Sequence, residues 1–166
     1  KAAPLFNIHN RISSPVVPSQ IVAGDGRYFL RHAPHDYDII ASNVTSPDLP
    51  GSSSCYTREY FELVRSRLAP GGLFLVHVFG RERRTVYRTL AEVFPHVIGF
   101  KAYTRSHHLI ASMEPVRINR KAVARKLARW PAFRNDARAS GLTSPEALIK
   151  RLTLTENDFR AEMSSP

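Results

Sequence analysis

The feature that most narrows the fold lies between residues 36 and 79, where an apolar strand, an amphipathic helix and a second apolar strand follow one another with short links. Asp36-Tyr37-Asp38 leads into Ile39, Ile40 and Ala41, a continuous apolar run of the kind expected for a strand covered on both faces. From Thr57 to Ala69 the side chains Tyr60, Phe61, Val64 and Leu68 recur at helical spacing, and Thr57 is placed to cap the first turn. Pro70-Gly71-Gly72 predicts the end of that helix, and Leu73 to Phe79 reads as the second strand. Strand, helix and strand in this order make a parallel βαβ unit, so the expected fold is α/β with a mainly parallel sheet.

The flanking segments extend this unit. Gln20 to Ala23 predicts a short strand running into Gly24-Asp25-Gly26-Arg27, whose two glycines permit a tight, positive-φ turn, and a short helix follows over Tyr28 to His32. After Ser42-Asn43, residues Val44 to Cys55 hold two prolines, a glycine and five serines or threonines, a loop long enough to cover a site at the strand's carboxyl end. A helix from Arg84 to Phe94 precedes His96 to Tyr103 and His108 to Met113, which read as an antiparallel hairpin. The predicted organisation is a leading loop over 1–19, interrupted by Pro4, Pro15 and Pro18, then an α/β domain over 20–114 and a basic helical extension over 115–166. Helices are expected in the extension near 119–129, 132–139, 144–152 and 155–162; Thr143-Ser144-Pro145-Glu146 forms a good helix start.

The longest apolar run, Leu73 to Phe79, is seven residues interrupted by His77, far short of the roughly 20 needed to cross a bilayer. The opening Lys-Ala-Ala-Pro reads as the start of an excised piece, so any membrane segment would have to precede Lys1. Cys55 is the sole cysteine, which excludes an intrachain disulfide and a multi-cysteine zinc site and fits a reducing, cytoplasmic setting. His32 and His35 are separated by Pro34, while His107 and His108 would point to opposite faces of a strand, so no metal site is expected. The net charge of +10 favours an anionic partner, but the basic residues are spread along the chain without a recognised nucleic-acid module, so nucleic acid is disfavoured. Between Arg117 and Arg138 there are eight basic residues and one acid, Asp136, with Trp130 and Phe133 among them. RNA or anionic lipid is one reading of that stretch; the favoured one is a helical extension whose long side chains lie over neighbouring helices with their heads in water.

In open parallel sheets, ligands bind beyond the carboxyl ends of the strands. Three segments occupy that position: Gly24 to Arg27, Ser42 to Cys55, and the residues after Phe79. A carboxylate at Asp25, flanked by Gly24 and Gly26, could accept a hydrogen bond from an adenine amine while the backbone approaches the ring. Those residues alone fit a tight turn with an Asp helix cap better.

The combination is more specific. Gly-Asp-Gly-Arg-Tyr-Phe-Leu, then Tyr-Asp-Ile-Ile, then Cys-Tyr-Thr-Arg-Glu-Tyr-Phe-Glu-Leu, then Arg-Leu-Ala-Pro-Gly-Gly-Leu-Phe, together resemble the spermidine synthase-like polyamine aminopropyltransferases across residues 20–80. The hairpin and the tail, Gly141-Leu142 through Ala147-Leu148-Ile149 to Arg160, resemble the bacterial branch, in which the enzyme domain is often fused behind membrane helices. The resemblance implies a Rossmann-like fold of the class I methyltransferase type and transfer of an aminopropyl group from decarboxylated S-adenosylmethionine to a small-molecule amine, with room for a homodimer. By position Gly24, Asp25 and Gly26 would meet the nucleoside, and Tyr56 matches a tyrosine in the loop near the amine.

Two departures stand out. Asn43 occupies the position of the family's catalytic aspartate, and Ser46, before Pro47, that of a second acid. An amide can hydrogen-bond an ammonium ion but cannot take its proton, and loss of a general base costs on the order of a hundred- to ten-thousand-fold in rate. The Gly-rich turn and the ribose-binding acid of the first βαβ unit are not found before Gln20, which would leave the strand Ile39 to Ala41 with an open edge. The chain is therefore expected to be inactive in isolation. The alternatives are a methyltransferase using S-adenosylmethionine on the same fold, and a non-catalytic basic module that binds nucleic acid.

Overall fold

The computed structural model describes residues 20–44, 46–79, 83–103, 106–129 and 131–164. The leading stretch 1–19, the segment directly after Phe79 and Trp130 lie outside these residues. Helix α1 (Gly26–His32) precedes β1 (Tyr37–Ser42), and a 3₁₀ turn at Ser53–Cys55 leads into α2 (Arg58–Ser66). Then come β2 (Leu68–Phe79), α3 (Arg83–Val93), β3 (His96–Tyr103) and β4 (Ser106–Ser112). The extension supplies α4 (Arg120–Arg129), α5 (Pro131–Ala139), α6 (Pro145–Ile149), β5 (Leu152–Leu154) and α7 (Glu156–Ser164).

The α/β class is the observed one: a five-stranded open sheet in the order β1-β2-β4-β3-β5. β1 and β2 pair in parallel, as the βαβ reading requires, and β3 and β4 form the expected antiparallel hairpin. The balance of pairings differs from a mainly parallel sheet. β4 returns between β2 and β3, antiparallel to both, and β5 is antiparallel to β3. β1, β2 and β3 thus share one direction, yet one of the four hydrogen-bonded pairs is parallel.

Other expectations are corrected. Gln20–Ala23 forms no strand; Ile21 and Val22 are exposed, and no described strand lies beside them to supply a ladder. Pro70-Gly71-Gly72 lies inside β2, because α2 already ends at Ser66 and the strand starts at Leu68. The extra residues are absorbed by a register shift: Tyr37 faces Leu68 whereas Ile39 faces Leu73. Gly71 takes φ 72, and a Cβ on Gly72 would lie 2.8 Å from the Ala69 carbonyl and 3.0 Å from that of Tyr37. The helix expected over 144–152 stops at Ile149, and Leu152–Leu154 becomes a strand whose Leu154 pairs with Gly99.

One side of the sheet carries the core. Phe74, Val76 and Val78 of β2 are completely buried beneath Phe61 and Val64 of α2 and Tyr87 and Leu90 of α3. Each such side chain stabilises the fold by roughly 1.5–3 kcal/mol relative to exposure. Phe74 lies 5.8 Å from Phe61 and stacks on Phe94 at the same distance. Phe159 of α7 meets Tyr87 at 5.2 Å, so the extension contributes both a strand and a core residue to this layer. At the opposite edge β1 has no outer partner among the described residues, and Ile39 is 64% exposed.

Candidate functional site at the end of the first strand

Asp25 is the N-cap of α1. Its φ of −75° and ψ of 119° are extended, and Oδ1 accepts hydrogen bonds from the backbone N–H groups of Arg27 (2.8 Å) and Tyr28 (3.0 Å). The positive-φ turn expected at Gly24 and Gly26 is absent: neither glycine adopts it, because the capping geometry turns the chain with ordinary dihedrals. A Cβ at either position would meet nothing within 4 Å, so this segment faces open space. The hydrogen bond from Tyr28 N–H, followed by that from the Arg27 side chain, holds the Asp25 carboxyl below the usual carboxylate range. Oδ2 lies 3.4 Å from the Arg27 guanidinium on an exposed carboxylate, which leaves it with capacity to accept from a ligand.

β1 carries Ser42 and Asn43 to the same place. A cleft of about 350 Å³ is lined by Asp25, Gly26, Asn43, Ser54, Cys55 and Tyr60, among others. The Asp25 turn and the exposed Asn43, separated in sequence by α1 and β1, therefore face one space, which Asn43 reaches from the carboxyl end of β1 and Asp25 from the start of α1. Gly24 does not line it. A larger cleft of about 480 Å³ adjoins, sharing Asp25, Arg27, Ser54 and Tyr60 and adding Tyr28, Arg31 and Glu59.

Tyr56 sits elsewhere. Its ring is 6% exposed and lines neither cleft; its hydroxyl lies 3.1 Å from the Val44 carbonyl and 3.0 Å from that of His77, so its one proton is shared between two backbone acceptors. Burial pushes the phenol up to about 12. The residue ties the loop after β1 to the end of β2. Ser46 is buried and engaged with Asp48, whose carboxylate accepts from its hydroxyl at 3.3 Å.

Tyr60 is the residue that sequence reasoning missed, having counted it as core. It borders both clefts, and burial raises its phenol while a hydrogen bond from the Ser42 side chain opposes that shift. The available signal was its place in the first turn of a helix entered from the site loop: an aromatic ring with a polar tip suits such a boundary. Among the described residues no group of three or more His, Cys, Asp or Glu side chains is arranged to hold a metal.

Residues 6–83 match the Spermine/spermidine synthase domain. Polyamine aminopropyltransferase 2 of Pseudomonas aeruginosa is 33% identical over 90 residues, 50% of this chain and 26% of that protein. A polyamine aminopropyltransferase 2 of Hyperthermus butylicus is 30% identical over 95 residues, 54% of this chain and 31% of that protein. The crystal structure of spermidine synthase from Thermotoga maritima superposes with a TM-score of 0.67 at 17% identity, covering 98% of this chain and 55% of that one. A spermidine synthase in complex with the transition-state analogue AdoDATO gives 0.70 at 17% identity, covering 98% and 56%. The structural likeness establishes the fold; the sequence matches support the spermine/spermidine synthase family. The matched region spans about a quarter to a third of the curated relatives' length, and the chain about half that of the solved structures.

Proposed function

We propose that this chain forms the nucleoside-facing part of an aminopropyltransferase of spermidine synthase type, which moves an aminopropyl group from decarboxylated S-adenosylmethionine to an amine. The observation that carries this reading is the cleft uniting Asp25, Gly26 and Asn43 at the carboxyl end of β1. Its size falls in the range of small-ligand sites, and Asp25 presents an oxygen not consumed by capping. In the transfer, the amine nitrogen forms a bond to the aminopropyl carbon, the carbon–sulfur bond breaks, and sulfur leaves as the neutral thioether of methylthioadenosine. The amine's surplus proton needs an acceptor. Asn43 can orient the amine but cannot take that proton, so transfer by this chain alone should be slow or absent. Tyr56 acts by fixing the loop that carries Asn43 and Ser54, since its hydroxyl is held by two backbone carbonyls.

Calorimetric titration of the 166-residue chain with methylthioadenosine tests the reading. Saturable binding, lost in Asp25→Ala and weakened in Asp25→Asn, which keeps a capping oxygen, is the expected result. No binding by a chain shown to be folded by circular dichroism would refute a nucleoside site. Binding that survives Asp25→Ala would refute the role given to that carboxylate.

A further inference from the structure

Helix α4 holds five basic residues, Arg120, Lys121, Arg125, Lys126 and Arg129, and no acid. In the sequence these charges look scattered. The helix collects them: Lys121, Arg125 and Arg129 are four apart, so each is rotated only about 40° from the last and the three make one stripe, which Lys126 widens. All four are exposed. Lys121, Arg125 and Arg129 form no ion pair among the described residues.

The other side of α4 is already used. Val123 and Leu127 are half-buried, and the helix packs against α5 and α6. A shallow concavity of about 560 Å³ lies over Ala122, Arg125, Lys126, Ala128 and Arg129. The two alanines keep that surface low between the long cationic arms, and the Asn119 side chain fixes the helix start by accepting from Ala122 N–H at 2.9 Å.

From this arrangement we infer that the exposed face of α4 is a docking surface for the phosphate backbone of a nucleic acid. The stripe from Lys121 to Arg129 rises about 12 Å along the helix, and phosphates follow one another every 3.4 Å or so along a strand of duplex DNA, so the stripe spans about three to four phosphate steps and its three cations have several phosphates within reach. An anionic membrane fits less well. An interfacial helix inserts an apolar face beside its basic one, whereas the apolar face of α4 is turned into the protein and its solvent side offers only alanines between the cations. The inference is independent of the aminopropyltransferase reading.

The test is fluorescence anisotropy of the full 166-residue chain with a labelled 20-base-pair DNA duplex of mixed sequence at 50–200 mM salt. Each phosphate contact contributes about −0.9 to the slope of log affinity against log salt. The triple variant Lys121→Gln, Arg125→Gln, Arg129→Gln should therefore reduce the slope's magnitude by about 2.7, so that wild type loses about 40-fold more affinity than the variant over that salt range. A control with the same charge change elsewhere, Arg65→Gln, Arg84→Gln, Lys150→Gln, should leave most of the slope in place. Arg125→Gln alone should remove about 0.9 of it, which keeps the test decisive if the triple variant folds poorly. Equal losses in triple variant and control, or no duplex binding by the folded wild type, would overturn the inference. So would binding to vesicles of 30% phosphatidylserine that needs α4 while the duplex is ignored.

Discussion

Replacing Tyr56 with Phe removes one oxygen and keeps the ring, which is 6% exposed, in the same shape, so the change isolates the hydroxyl. That hydroxyl serves the Val44 carbonyl at 3.1 Å and the His77 carbonyl at 3.0 Å. A net hydrogen bond contributes about 1 kcal/mol, and a buried acceptor left without a partner costs about 1–3 kcal/mol. Each carbonyl oxygen keeps a second lone pair for another donor, so the loss should sit near 1.5 kcal/mol, within the lower half of that range. For a chain of this length it should lower Tm by about 3–6 °C and shift the urea midpoint without changing m. There is a pH signature as well. Burial raises the Tyr56 phenol from 10.0 to about 12, so between those values the unfolded chain has lost a proton that the folded chain keeps. Stability from this group is full below pH 10 and falls as pH rises towards 12. The difference between wild type and Tyr56→Phe, measured by urea denaturation followed by circular dichroism, should be constant from pH 7 to 9.5 and shrink above pH 10. A difference under about 0.3 kcal/mol at pH 8 would refute the tie between loop and strand, and one that stays constant to pH 12 would refute the burial argument.

The sign is opposite at His77. Desolvation, and secondarily the nearby His108, lowers its pKa from 6.5, so below that pH the unfolded chain takes up a proton that the folded chain resists. His77 should thus cost stability as pH falls below about 6.5, and His77→Gln, which can still meet the Ser106 hydroxyl now 2.6 Å away, should flatten the fall in urea midpoint between pH 7 and 5. At Gly72 an added Cβ meets backbone oxygens at 2.8 and 3.0 Å that cannot swing aside, so Gly72→Ala should destabilise by about 1–3 kcal/mol in the same assay.

The parts legible in the sequence were those where local and tertiary signals agree. Thr57 was placed as a cap and is one, its Oγ1 accepting from Tyr60 N–H at 3.3 Å, and the apolar run Leu73 to Phe79 lies inside β2. Asn43 lies beyond the carboxyl end of β1, as the strand-end rule expects, whereas Asp25 and Gly26 reach the same cleft from the start of α1 and not from a strand. What escaped was set by distant neighbours. Pro70-Gly71-Gly72 reads locally as a break, yet β1 alongside accommodates it as an irregularity within a strand. Leu152-Thr153-Leu154 shows period-two alternation, but three residues are too few to be read as a strand without knowing that the edge of β3 awaits them. Tyr60 was hidden because helical spacing marks a face and does not distinguish core from the rim of a cleft.

The pairing of Leu154 with Gly99 sets an order of events during synthesis. The contacts that build β1 to β4 lie within residues 37–112, whereas β3 gains its second neighbour only when the chain has grown to residue 154. At about 5–20 residues per second, the interval is on the order of 2–8 s, during which β3 presents an open ladder of N–H and C=O groups. Closing so long a loop is entropically costly and slow relative to the hairpin beside it. The last fifteen residues thus act late, converting β3 from an edge strand into an interior one and leaving the three-residue β5 as the edge opposite β1.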